Sequence, residues 1–280
     1  MIKLVINSDD LGLHPAVNRA VLELAKFGTL SSASVLANGR YLDNLSELSS
    51  LISLGGHLNI LRGRPLSPAF EISSLLGSDG LFLGDYKKLY LRYLSGKLSL
   101  SEVKKEWRAQ IIKLKNLGLT LSHLDSEKHT HAWPRLALII RELADEFGIA
   151  CVRRPLESPL PYSSGISGLL RTGLLRYWVS CAPEAYLGKC ADRVWGIGHQ
   201  GTLLQADLFR QYLNTLPENA CVELVCHPGH RLPEDPELDP EFGSLRIWKT
   251  WASEFKLLMS DVWKTLVTEK TVRLVRYDHL

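Results

Sequence analysis

Short apolar runs alternate with helix-like segments along nearly the whole chain, and this alternation restricts the fold more than any other feature. Lys3 to Asn7 reads as a short buried strand. Pro15 to Phe27 reads as a helix, with proline in its first turn and Gly28 at its end. Ser32 to Ala37 is strand-like, Leu42 to Leu51 helix-like, and Gly55 to Ile60 strand-like again. A loop-rich stretch, Leu61 to Gly84, precedes two helical segments, Asp85 to Leu94 and Ser101 to Asn116. Leu119 to Leu124 is a strand, Arg135 to Phe147 a helix closed by Gly148, and Ile149 to Val152 a strand. Between Pro155 and Arg193 only Ser167 to Ser180 has clear helical character. Val194 to Ile197, Asp207 to Asn214 and Cys221 to Cys226 read as strand, helix, strand. Glu241 to Met259 reads as one long helix rich in Trp and Phe, and Val272 to Leu274 as a last strand.

Repeated strand–helix alternation argues for a parallel sheet with helices outside. About seven such units predict an α/β, TIM-barrel-like barrel, closed or nearly closed, with room for fewer than eight strands. In either form the active site lies at the C-terminal ends of the strands. No repeat, low-complexity segment or linker divides the chain, so residues 1–280 read as one domain.

Bulk properties exclude other classes. Of the residues, 45% are hydrophobic and 22% charged, which is ordinary globular composition. A net charge of +3 is too small to argue for a nucleic-acid partner. The N-terminal apolar run reaches Asp9 and Asp10 too soon for a signal peptide. No apolar stretch of about 18 or more residues exists, so no transmembrane segment is expected. The five cysteines form no CxxC pair and are odd in number, which fits reduced thiols and a cytoplasmic location.

Chemistry concentrates at the strand ends. His123, Asp125, Glu127, His129 and His131 occupy every second position of one segment. An extended backbone would place all five on one face. Such a row is costly to bury unless something binds it, and a metal ion suits imidazole and carboxylate donors. The first strand ends in Asp9-Asp10. Adjacent residues of a strand point to opposite sides, so one carboxylate can ligate a metal while the other takes a proton. The competing reading is a helix-capping Asp pair before Pro15. His57, preceded by Gly55 and Gly56, is either a site residue at a close backbone approach or a satisfied core histidine. His227 lies where a late strand turns at Pro228-Gly229, a suitable place for a proton donor. His14, His199 and His279 read as structural or surface residues.

Together these segments resemble the YdjC-like carbohydrate deacetylases. The resemblance rests on Val5-Ile6-Asn7-Ser8-Asp9-Asp10-Leu11-Gly12, Leu30 to Val35, Gly56-His57-Leu58-Asn59 with Gly63-Arg64-Pro65, and Glu106 with Gln110. It continues through His123-Leu124-Asp125-Ser126, His129-Thr130-His131 with Pro134, Val152-Arg153 and Cys226-His227-Pro228-Gly229. It implies a TIM-barrel-like fold and metal-dependent removal of an acetyl group from an N-acetylated sugar or glycoconjugate. By carry-over, Asp9 would be the general base, Asp10 and His57 metal ligands, and His227 the acid that protonates the leaving amine. His123, Asp125, His129, His131 and Arg153 would orient ligands or substrate.

One position departs from the family pattern. The third ligand is usually a histidine where this chain has Glu127. An Asp–His–Glu set around a divalent ion is electrically neutral, whereas Asp–His–His leaves one positive charge. A less positive centre activates water less, and an oxygen-richer shell shifts preference from zinc towards magnesium or manganese. Direct coordination by Glu127 and a magnesium ion are therefore the favoured expectation; zinc or manganese are the alternative ions, and His129 or His123 the alternative third ligand. Lys128 should face the opposite side. Two other readings remain. One is a deacetylase of a lipid-linked amino sugar, peripheral at the membrane through the apolar, basic stretch Leu169 to Trp178. The other is a sugar-binding barrel that has lost its metal. A homodimer stays open.

Overall fold

A computed structural model describes residues 1–43, 45–157, 165–188, 190–243 and 249–280. Eight strands form one parallel sheet: β1 (Ile2–Leu11), β2 (Ser32–Val35), β3 (Ser53–Leu58), β4 (Leu121–Ser126), β5 (Cys151–Val152), β6 (Arg193–Trp195), β7 (Cys221–Cys226) and β8 (Val272–Leu274). The path runs β5-β4-β3-β2-β1-β7-β6, and β8 pairs with β1 outside it. The sheet curls into an open α/β barrel. Its two edges meet where the Val194 amide of β6 donates to the Leu156 carbonyl, just past β5, at 3.1 Å. β1 is twice served on one edge. Its first residues pair with β8 (Leu4 opposite Leu274), and its later residues with β2 (Asn7 opposite Ser32).

The helices are α1 (Pro15–Phe27), α2 (Leu45–Leu51), α3 (Tyr86–Leu94), α4 (Leu100–Asn116), α5 (Pro134–Phe147), α6 (Gly165–Cys181), α7 (Ala206–Leu213), α8 (Trp251–Leu258) and α9 (Asp261–Thr268). α4 lays an apolar stripe on the sheet with Val103, Trp107, Ile111 and Leu114. Fully burying each such side chain is worth about 1.5–3 kcal/mol. α1 shows how local sequence sets its bounds. The His14 ring accepts from the Ala16 amide, Pro15 presets the first turn, and Gly28 takes the left-handed cap.

Several element boundaries differ from expectation, while the expected helix over Ser167 to Ser180 is present as α6. The predicted single helix over Glu241 to Met259 is instead a 3-10 turn, Pro240–Phe242, and the separate helix α8; residues 244–248 lie outside the described residues. Ser260 then caps a further helix, α9, whose start the aromatic-rich pattern concealed. The hard-to-read middle resolves as α6 and a 3-10 turn, Pro183–Tyr186, while residues 158–164 and 189 lie outside the described residues. β1 also runs longer than predicted, carrying Asp9 and Asp10 inside the strand.

Candidate metal centre

The adjacent carboxylates do not take opposite sides as simple alternation predicts. Asp10 has φ +66°, and the β1–β2 register shifts between Ser8 and Leu11. Aspartate tolerates this left-handed conformation better than most residues. The irregularity turns both side chains towards His57. Both are buried, and each forms a compact three-residue cluster with it.

β3 and β4 supply the centre of the site. Their register sets His57 opposite Asp125, and His57 Nδ1 donates to Asp125 Oδ1 at 2.6 Å. With Nδ1 committed, Nε2 faces outward, the arrangement that aims a metal-binding histidine. Asp10 Oδ1 and Glu127 Oε2 each lie 3.6 Å from His57 Nε2. That spacing is too long for a hydrogen bond. It is close to the ligand–ligand edge, about 3.0–3.5 Å, of a divalent ion with bonds near 2.1 Å. One donor atom from each of Asp10, His57 and Glu127 fits within 4.8 Å of the others. The donor set and its spacing therefore fit a divalent ion.

The three groups shift one another's protonation. Burial pushes Asp10 up to about 6, helped by the charge of Glu127 and opposed by His57. Burial acts to depress His57, but Asp125 and Asp9 outweigh it and hold the imidazole protonated well above its ordinary range. Burial would also raise Glu127, yet His57, Lys128 and Arg62 hold it well below the usual carboxylate range.

A second cluster lies deeper. Arg153 is fully buried and grips Asp9 with both terminal nitrogens, Nη1 to Oδ2 at 2.9 Å and Nη2 to Oδ1 at 2.7 Å. The same guanidinium reaches Asp125 Oδ2 at 2.7 Å and Glu223 Oε1 at 2.8 Å. Burial opposes ionisation of Asp9, and Arg153 more than offsets it. Burial pushes Glu223 up to about 7 against the pull of Arg153, and the Tyr277 hydroxyl donates to its other oxygen. His227 approaches from the end of β7, with Nε2 3.9 Å from Asp9 Oδ2. Glu254 of α8 accepts from the backbone amides of both His227 and Gly201, fixing the turn that carries the ring.

The row of five ionisable groups breaks. β4 ends at Ser126, and Lys128 and His129 adopt φ +53°, so the backbone is not extended beyond that point. His123 and Asp125 face the barrel interior and Glu127 its rim. His123 sits between Ser34 and Ser122 and stacks on Tyr277; burial depresses it to about 4, which keeps the ring neutral. His131 bonds Ser126 Oγ and the Arg153 carbonyl, and burial lowers it to about 4. His129 is held neutral first by burial and then by Arg153, and its buried Nδ1 has no partner. Neither His129 nor His131 belongs to a described metal-competent cluster.

Other residues shift role. A Cβ on Gly55 would fall 2.3 Å from the His123 ring, so this glycine makes room for a neighbouring side chain rather than for a ligand. Lys128 is exposed; the cation that touches Glu127 is Arg62, Nε to Oε1 at 3.2 Å. Sequence reasoning passed over Arg62, Glu223, Glu254 and Tyr277. Glu223 did leave a signal, as the one charge in the apolar strand Cys221–Cys226. The three histidines set aside earlier are an α1 cap (His14), a partner stacked on Trp195 (His199) and an exposed C-terminal residue (His279).

A family model described as "YdjC-like protein" matches residues 3–269. The chain belongs to the YdjC-like family. A carbohydrate deacetylase of Brevibacillus brevis is 24% identical over 283 residues, covering 99% of both proteins. One from Oceanobacillus iheyensis is 36% identical over 149 residues, covering 51% of this chain and 61% of that protein, so this match spans about three-fifths of the relative. A crystal structure from Enterococcus faecalis V583, provisionally described as a cellobiose-phosphate cleavage protein, superposes with a TM-score of 0.75 at 21% identity. It covers 99% of this chain and 98% of that one, and supports the fold.

Proposed function

We propose that this chain is a metal-dependent carbohydrate deacetylase that hydrolyses the acetamide of an N-acetylated sugar, releasing acetate and a free amine. The observation that carries the reading is the convergence of Asp10, His57 and Glu127 beside the Asp9–His227 pair, in a chain whose family relatives are named carbohydrate deacetylases. Asp10, His57 and Glu127 are the residues that would hold the ion. When bound, a divalent ion there supplies an acidified water and a Lewis acid for the acetyl carbonyl. Asp9 keeps a lone pair on Oδ2 beyond its Arg153 contact and takes the proton of the attacking water. Arg153 keeps that carboxylate ionised and fixes its plane. His227, beside the same oxygen, donates to the departing nitrogen. The neutral ligand set makes magnesium or manganese better suited than zinc.

Acetate release from N-acetylated chitooligosaccharides, assayed with each metal added to chelator-treated protein, tests the proposal. Turnover should require metal, and Asp9→Asn should remove it. Metal-independent turnover, or turnover unchanged in Asp9→Asn, overturns it. The metal-free sugar-binding reading loses support because all three donor atoms remain together. A membrane-associated substrate keeps one supporting observation: α6 exposes Leu170 (71%) and Tyr177 (64%) beside Arg171 and Arg176. Co-sedimentation with anionic liposomes tests it, and complete absence from the pellet removes it. No described helix is long and apolar enough to cross a membrane.

A further inference from the structure

A free carboxylate at a metal centre can bind through one oxygen or two, whereas histidine offers one atom. Glu127 replaces a one-atom donor and therefore carries an ambiguity that histidine lacks. The structure removes it. Glu127 Oε1 accepts from Arg62 Nε at 3.2 Å, while Oε2 stands 3.6 Å from His57 Nε2. Arg62 is itself firmly held. Its Nη1 donates to the Phe242 carbonyl at 3.0 Å. Its amide donates to Asn59 Oδ1 at 3.2 Å, and its carbonyl accepts from the side-chain amides of Asn38 and Asn59. Asn59 is anchored in turn by Gln110 of α4, at 2.8 Å from its amide. Among the described residues, Glu127 is the acidic group that Arg62 pairs with.

We propose that Arg62 is a positioning residue for Glu127, occupying Oε1 so that Oε2 alone faces the ion, and that this contact sets the affinity and coordination number of the metal centre. The inference rests on the metal-centre reading above. It explains how a glutamate takes the place of a one-atom donor without enlarging the shell, since the guanidinium Nε caps the second oxygen and its charge offsets that of the carboxylate.

The test is Mn²⁺ titration followed by electron paramagnetic resonance, with the Co²⁺ visible spectrum as a coordination readout. Arg62→Lys keeps the charge but cannot hold Glu127 and the Phe242 carbonyl through one rigid fork. It should weaken Mn²⁺ binding by about tenfold or more, the usual size for losing an outer partner of a ligand. The Co²⁺ band should weaken as the carboxylate swings to two-oxygen binding. In a Glu127→His background the same substitution should change affinity by less than about threefold, because the contact it breaks is already gone. Arg62→Gln, whose amide can still donate to Glu127, should lose less affinity than Arg62→Lys. Equal losses in both backgrounds, an unchanged Co²⁺ spectrum in Arg62→Lys, or the reverse order of the two variants overturns the inference. Absence of Mn²⁺ and Co²⁺ binding by the unaltered protein overturns the metal-centre reading, and this inference with it.

Discussion

Two clusters share His57, and only one is filled. Asp9, His57 and Asp125 form a compact acidic group, and so do Asp10, His57 and Glu127. In the first, the buried Arg153 guanidinium lies 2.7 Å from both aspartates, so positive charge is already in place at hydrogen-bond distance. In the second, the donor atoms stand 3.6 Å from His57 Nε2, and the neighbouring cation, Arg62, approaches from the rim on the far oxygen of Glu127. The acidic count is similar in both. Spacing and prior pairing separate a carboxylate cluster already neutralised by a guanidinium from one with room for an ion. Asp9 and Asp10, neighbours in sequence, fall on the two sides of that distinction.

The largest effect should come from emptying the filled cluster. Arg153→Met leaves Asp9, Asp125 and Glu223 buried without a counter-charge. Breaking a buried ionic network costs about 3–5 kcal/mol, so chemical denaturation should show a loss of that size. A loss below about 1 kcal/mol would mean that the network relaxes and is not what holds these carboxylates. The mirror experiment acts on the open cluster. Asp10→Asn should weaken divalent-metal affinity by about a thousandfold, or about 4 kcal/mol, while leaving the fold intact. Isothermal titration reads this directly. In the unaltered protein, binding should release protons near pH 7, because His57 must give one up. The measured heat should therefore change with buffer ionisation enthalpy.

A smaller effect separates the clusters by pH. Asp10 is raised in the folded protein from 3.8 to about 6. A raised folded value means that its contribution to stability is complete below the unfolded value and lost as pH rises through the folded one. Metal-free protein should therefore lose on the order of 2 kcal/mol relative to Asp10→Asn between pH 4 and 7. The comparison with the variant matters because His123, His129 and His131 are lowered and pull the absolute curve the other way. Parallel curves for the two proteins would contradict the assignment. The smallest effect concerns the turn that carries His227. Glu254→Gln replaces one of two acceptors for buried amides and should cost about 2 kcal/mol, measured by thermal unfolding. With it, turnover should fall while KM stays near its original value; a change in KM alone would make Glu254 merely structural.

Much of this arrangement was legible from residue order. Apolar runs ending in chemistry mark Asp9, Asp10, His57, His227 and the row containing Glu127 as candidates, and a parallel sheet brings such ends together; which of them ligate an ion comes from the family resemblance. Two things were not. The period-two row assumed an extended backbone, and nothing local marks Lys128 and His129 as left-handed, because neither is glycine or asparagine. Asp10 is of a type that tolerates the left-handed region, but that tolerance alone does not say that its conformation turns two adjacent carboxylates to one side. The partners that decide which cluster is filled come from afar. Arg153 reaches Asp9 across 144 positions, and Tyr277 reaches Glu223 across 54. Long-range charge pairing leaves no periodicity to read.

The central claim is that the open cluster, and not the one gripped by Arg153, takes the ion. Crystals grown with Mn²⁺ and measured at its absorption edge test this most directly. The account predicts a single anomalous peak within about 2.0–2.4 Å of Asp10, His57 Nε2 and Glu127 Oε2, with Arg153 still on Asp9. A peak held by Asp9 and Asp125, or an empty centre in Mn²⁺-saturated crystals, would contradict it.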